Sequence, residues 1–208
     1  MFRKSVSDLP MMRSSIELRP AVRKDARALA QLINFAGEGL PLYLWTELAE
    51  PGEDAWELGR SRALRDEGGF SYRNSVIAEL GGEVAGCLIG YALAKEPTRT
   101  DLSSLPPLFV PLQELEDLAP NTWYVNVVAA YPKFRGQGVG SRLLERAEQA
   151  AREADRPGLS LIVADTNVGA RRLYARRGYR QVATRPLVKE RWQTAAREWV
   201  LMVKPGDD

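Results

Sequence analysis

The chain has 208 residues, 45% of them apolar and 27% charged, with a formal charge of +2; these proportions suit one globular core and exclude a disordered or fibrous chain. It has no histidine and a single cysteine, which excludes a Ser-His-Asp triad, a histidine zinc site, an imidazole base and a disulfide framework. The charge is too small to point to nucleic acid, and the excess of arginine (only six of the 29 basic residues are lysine) is expected of a GC-rich bacterial genome rather than of a function.

Residues 1–13 read as a loose tail without the apolar stretch of a signal peptide. Ser15-Ile16-Glu17-Leu18-Arg19 alternates as a short strand does. Asp25 predicts a helix start, Ala26, Leu29, Ala30 and Ile33 recur at helical spacing, and Gly37 predicts the end. The stretch 38–45 is apolar and reads as a connection, followed by a helix over 53–67 that Gly68-Gly69 stops. Residues 75–80 and 83–93 are β-rich runs around Gly81-Gly82, a hairpin signal.

Residues 97–121 are broken by Pro97, Pro106, Pro107, Pro111 and Pro120, leaving a helical turn or two at 112–118. Connections of this length are usually functional or mobile. A strand over 123–130, a glycine-rich turn and a helix over 138–154 come next, with Leu143, Leu144, Ala147, Ala150 and Ala151 on its apolar face. A strand at 159–164, a short helix at 167–177 closed by Gly178, and strands at 179–184 and 199–203 complete the pattern. Helices interleaved with strands predict a three-layer α/β or α+β domain. The longest near-apolar run, 84–94, is well short of the ~20 residues of a membrane span, so a cytoplasmic protein is expected.

Arg135-Gly136-Gln137-Gly138-Val139-Gly140-Ser141 lies between the strand at 123–130 and the helix after it. Its glycines let the backbone turn and approach a ligand closely, and the free N–H groups of the following helix favour an anion. A phosphate or pyrophosphate site is expected, a plain tight turn being the alternative. No lysine follows Gly140, so the Walker pattern is absent, and Ser141 stands where a dinucleotide fingerprint needs its third glycine.

The pattern that fits is R-x-x-G-x-G, carried by Arg135, Gly138 and Gly140. About thirty residues on comes Asn167-x-x-Ala170-x-x-Leu173-Tyr174-x-x-x-Gly178-Tyr179. Together they resemble the cofactor-binding and C-terminal motifs of the GNAT superfamily of acetyl-CoA-dependent N-acetyltransferases. The resemblance implies a single domain over 14–208 with a mixed, mostly antiparallel sheet whose two central parallel strands splay apart. The 97–121 segment would be an insertion and a lid over the acceptor.

It also implies acetyl-CoA as cosubstrate, without a metal. The diphosphate would sit on the amides of Arg135, Gly136, Gln137, Gly138, Val139, Gly140 and Ser141. The pantetheine arm would run along Val128, Ala129 and Ala130 and reach Asn167. The Val128 N–H would stabilise the oxyanion, and Tyr174 would protonate the leaving thiolate. Relatives often carry a glutamate near Asn126, so the base is left open among such carboxylates as Glu38, Glu114 and Glu116. Tyr43, Trp45, Trp123 and Asn126 are candidates to contact the acceptor, although an aromatic residue is more often core. Arg171, Arg172, Arg176, Arg177 and Arg180 read as a solvated face, with the coenzyme's 3′-phosphate next, and Cys87 as an inert buried thiol.

The function expected is direct transfer of acetyl to a primary amine, of a small molecule or a peptide, with no nucleic-acid or membrane partner. A non-catalytic acyl-CoA-binding sensor is the alternative, and a nicotinamide-dependent enzyme a weaker third. Oligomeric state is open, a homodimer being the commonest assembly.

Overall fold

The structure, a computed structural model, describes residues 15–97 and 101–206; the tail expected at 1–13 lies outside them. β1 (Glu17–Pro20) precedes α1 (Ala26–Ala36), α2 (Leu40–Leu48) and α3 (Ala55–Ala63). The hairpin β2 (Ser75–Leu80) and β3 (Glu83–Ala92) turns at Gly81-Gly82 as expected. Then come α4 (Val110–Glu116), β4 (Trp123–Ala130), α5 (Val139–Glu153), β5 (Gly158–Ala164), α6 (Val168–Arg176), β6 (Arg180–Pro186) and β7 (Glu198–Pro205). No helix among the described residues is long and apolar enough to cross a membrane.

The strands form one sheet in the order β1-β2-β3-β4-β5-β7-β6, antiparallel throughout except between β4 and β5. One face carries α5 and α6, with Leu143, Leu144, Ala147 and Tyr174 packed on Leu88, Val125, Leu161 and Met202. The other carries α1 and α3 over Ile77, Cys87, Ile89 and Val127, and a further cluster in which Leu40 of α2 and Leu115 of α4 join Trp192, Trp199 and Leu201. The three layers follow from strands buried on both faces.

Two features part the centre of this sheet. β4 and β5 pair only at Trp123 with Leu159 and Tyr124 with Ser160, where the buried hydroxyls of Thr122 and Ser160 meet at 2.6 Å. On its other side β4 pairs with β3 along its length, but Ile89 faces Val127 and Gly90 faces Val125, leaving Asn126 as an extra residue. Such a bulge bends its strand and increases the local twist. The strands are held at one end and diverge toward the other.

Gly90 sits opposite the bulge for want of room. A Cβ there would overlap the Trp123 ring and lie 2.7 Å from the Tyr124 carbonyl oxygen. Gly90→Ala is expected to destabilise the fold by about 1–3 kcal/mol through overpacking, measured by urea unfolding. A change within about 0.5 kcal/mol, typical of unconstrained surface positions, would show that the strand crossing is not tight.

Three local expectations are corrected. The stretch 38–45 is not a connection but most of α2, with Pro41 in the first turn, where its missing N–H does no harm. The helix expected over 53–67 ends at Ala63, since the Arg65 carbonyl instead accepts a hydrogen bond from the Ser71 hydroxyl at 2.6 Å. Asp25 precedes α1 without capping it; its carboxylate turns back to the Val22 N–H (2.8 Å) and the Arg19 guanidinium (2.7 and 2.9 Å). The helical turn expected at 112–118 is α4, two residues earlier at each end, and its Leu115 is buried with Leu108 and Leu40 in one cluster.

Candidate active site

Where β4 and β5 diverge, a cleft of about 830 Å³ opens between the two sides of the sheet. Val128, Ala129 and Ala130 of β4 line one wall, with Asn126 beyond them, and Leu161, Ile162 and Val163 of β5 line the other. Small side chains on a half-unpaired strand leave backbone groups reachable by an extended ligand.

The glycine turn closes one end. Arg135 N–H bonds to the Pro132 carbonyl at 3.2 Å, and the next bonded amide is that of Arg142, which reaches the Gly138 carbonyl at 3.0 Å. Between them, the N–H groups of residues 136–141 have no acceptor among the described residues. Gly138, at φ 89°, starts α5 in a left-handed conformation that a side chain would strain. Unbonded amides at a helix N-terminus make a ready anion site. Arg135, Gly136, Gly138, Val139, Gly140 and Ser141 line the cleft, as does Arg176. Gln137 does not; its side-chain amide donates to the Lys133 carbonyl at 2.9 Å.

Asn167 caps α6, its Oδ1 accepting from the Ala170 N–H at 3.2 Å. The side-chain carbonyl is thus occupied, and of the two N–H donors on its NH₂ one serves Glu38 and the other is open to a ligand. Two turns on, Tyr174 lines the cleft, buried, with its ring 5.8 Å from that of Tyr179. Burial pushes its phenol up to about 12, so it stays protonated at neutral pH.

Among the described residues, Glu38 is the one carboxylate on the cleft wall. It occupies the turn between α1 and α2 at φ 51° and accepts a hydrogen bond from the Thr166 hydroxyl, across the cleft, at 3.4 Å. Burial raises its pKa, opposed by hydrogen bonds from Thr166 and Asn167 and assisted by the charge of Asp165. The other two carboxylates lie elsewhere. Glu114 is paired with Arg185 at 2.6 Å, and Glu116 is half-buried beside Tyr91 and Tyr124, off the cleft wall.

Of the residues expected at the acceptor, Asn126 lines the cleft and three do not. The Tyr43 hydroxyl lies 3.4 Å from Glu190. Trp45 is core, edge-on to Trp56 at 5.9 Å, and Trp123 is core beneath Gly90; both are buried because apolar partners surround their rings. The arginine cluster divides: Arg177 bonds Glu148 at 3.0 Å and Arg171 bonds Gln181 at 3.0 Å, while Arg172, Arg176 and Arg180 are exposed. Cys87 is fully buried, which raises its thiol pKa. Among the described residues no group of His, Cys, Asp or Glu could hold a metal ion. Sequence reasoning did not single out Phe35 and Thr166, which also line the cleft.

The profile of the acetyltransferase (GNAT) family matches residues 41–179, which hold β4, the glycine turn, α5 and α6. The chain belongs to that family. Over 50 residues it is 44% identical to an uncharacterized N-acetyltransferase of Archaeoglobus fulgidus, an alignment covering 24% of this chain and 34% of the relative, so that the match spans about a third of the relative's length. A polyamine N-acetyltransferase of Drosophila melanogaster has the same fold at 17% identity and TM-score 0.64, over 92% of this chain and 100% of that one. An N-acetyltransferase of Staphylococcus aureus Mu50 aligns at 17% identity and TM-score 0.61, over 90% and 99%. A GNAT-family acetyltransferase of Elizabethkingia anophelis, solved with acetyl-CoA bound, aligns at 19% identity and TM-score 0.52, over 91% and 97%. The GNAT fold accounts for the seven-stranded, mostly antiparallel sheet of this chain and its single parallel pair.

Proposed function

We propose that the chain transfers the acetyl group of acetyl-CoA to a primary amine by direct attack, without a covalent enzyme intermediate. The observation that carries this is the run of unbonded amides at 136–141, opening α5 at one end of a cleft that reaches Tyr174. The fit of the cosubstrate rests on the same groups. A diphosphate suits the amides and the flanking Arg135, and an extended pantetheine arm suits the exposed edge of β4. Ala130 to Asn126 spans about 13 Å at roughly 3.3 Å per residue, which directs the thioester toward the bulge.

Within that pose the Val128 N–H supplies a donor for the oxyanion, worth roughly 10²–10³ in rate. The Asn167 NH₂ donates to the arm. The Tyr174 hydroxyl faces the leaving sulfur. A phenol this high is a weak acid, so it helps most by donating a hydrogen bond to charge developing on sulfur, then completing proton transfer as the C–S bond breaks.

The test is calorimetry of coenzyme A binding, paired with thiol release from acetyl-CoA over a panel of polyamines, amino acids, aminated antibiotics and peptide N-termini. Small cationic amines come first, since the Drosophila neighbour is a polyamine N-acetyltransferase. Uptake of coenzyme A with acetylation of at least one amine is expected. Uptake without turnover would favour the acyl-CoA-binding sensor, a reading supported by the uncharged Asn126 on the central strand. No uptake by folded protein would remove both.

A further inference from the structure

Direct transfer requires a group that removes the proton of the attacking nitrogen, and β4 has none, because the cleft-facing polar side chain on it is the amide of Asn126. We propose that Glu38 is the general base, taking the proton of the acceptor amine directly or over one water. This rests on the acetyl transfer proposed above.

The diphosphate amides and Tyr174 belong to α5 and α6, on one face of the sheet. Glu38 comes from the turn between α1 and α2, which pack on the other face, and it is the sole carboxylate among the described residues that line the cleft. An amine entering from the α1–α2 side therefore meets a carboxylate before it reaches the thioester, while the sulfur departs toward Tyr174. Acid and base are thus drawn from opposite faces of the sheet and do not compete for one proton.

Glu38 follows α1 as the left-handed residue of its C-terminal turn, at φ 51°, with its own N–H on the Phe35 carbonyl (3.4 Å) and the Gly39 N–H on the Asn34 carbonyl (3.0 Å). Here the left-handed turn aims the carboxylate across the cleft at Thr166. Partial burial favours the neutral acid and so makes Glu38 a stronger base than an exposed carboxylate. The charged group that acts on it is Asp165, whose carboxylate accepts from the Arg197 N–H at 3.0 Å; Arg135 and Arg176 line the same cleft. On α2, Glu190 and Arg191 of the β6–β7 connection are held by Tyr43 and Glu47.

The step balances as follows. The acceptor ammonium sheds two N–H protons: the first passes to a Glu38 oxygen, freeing the lone pair that forms the C–N bond to the acetyl carbon, and the second leaves the adduct's nitrogen over water to solvent as the amide forms. The C–S bond breaks, its electron pair stays on sulfur, and sulfur takes the Tyr174 proton. Glu38 returns its proton to solvent, and Tyr174 regains one from it.

The experiment measures kcat/KM against pH for the parent, Glu38→Gln and Glu116→Gln, using an amine the parent acetylates, with coenzyme A affinity by calorimetry for each. The sign is fixed: the base must be ionised, so parental activity falls as pH drops through a pKa above the ordinary carboxylate value. Glu38→Gln is expected to lose about 10²-fold near neutral pH, within the range for a positioned base. It should also lose the acid limb and rise with the free-amine fraction as pH increases. Coenzyme A affinity should be unchanged, and Glu116→Gln should keep the parental limb. A limb that survives Glu38→Gln, or moves with Glu116→Gln instead, overturns the assignment, as does loss of coenzyme A binding, which would make Glu38 part of the cosubstrate site. A parent that acetylates no amine would instead defeat the transferase reading on which the assignment rests.

Discussion

Replacing Tyr174 by phenylalanine is expected to lower kcat by about 10²–10⁴, the range for removal of a positioned acid, while leaving coenzyme A affinity within about threefold, or roughly 0.7 kcal/mol. The ring is buried beside Tyr179 within the cluster that α5 and α6 form on the sheet, and phenylalanine retains that packing, so the loss is chemical. Because burial raises the phenol to about 12, Tyr174 is protonated across the working range. Its deletion should therefore remove no limb from the pH profile below about pH 10, the unperturbed tyrosine value. Stopped-flow or thiol-release assays at saturating acetyl-CoA give kcat, and calorimetry gives the affinity. An unchanged kcat would reduce Tyr174 to a core tyrosine, which its helix-face spacing with Ala170 equally permits.

Gly138→Val is expected to produce the opposite division. The residue starts α5 at φ 89°, and a β-branched side chain there is strongly disfavoured. A Cβ would have space, its nearest neighbour being Ile16 Cδ1 at 3.7 Å, so the effect comes from the backbone rather than from a clash. Strain of about 1–3 kcal/mol, relieved by flipping the turn, would scatter the amides at 136–141. Coenzyme A affinity should fall by about 5- to 150-fold at 1.4 kcal/mol per decade. KM for acetyl-CoA should rise while kcat at saturation changes little, the signature of lost uniform binding. Circular dichroism should show the fold intact. Unaltered affinity would place the diphosphate elsewhere.

Much of the site's frame was legible because each part is specified locally. The strand expected over 123–130 is β4, and the helix expected over 138–154 is α5, shorter by one residue at each end. β5 and α6 also fall within one residue of their expected limits. These segments carry an unbroken period together with their own stops: glycine before α5, Asn167 before α6 and Gly178 after it. α2 was illegible for the converse reason. It is apolar from Leu40 to Trp45 and carries its polar residues, Thr46 and Glu47, only in the last turn, so no recurring polar face reveals its period.

The chemistry divides in the same way. Local order in the chain was enough to locate the glycine turn, the capped helix after it and the position of Tyr174 two turns along. These depend on φ preference, capping and spacing within about a dozen residues. Tertiary contacts alone chose among the carboxylates and the aromatics. Glu38 faces the cleft because a left-handed turn aims it at Thr166, 128 positions away, whereas Glu114 is drawn off by Arg185. Trp45 and Trp123 fill core, and Asn126 stands alone at a bulge, because the pairing of β3 with β4 sets which side chains reach the opening. A carboxylate or an indole reads the same in a chain whichever way it points; direction is a property of strands and helices brought together from far apart.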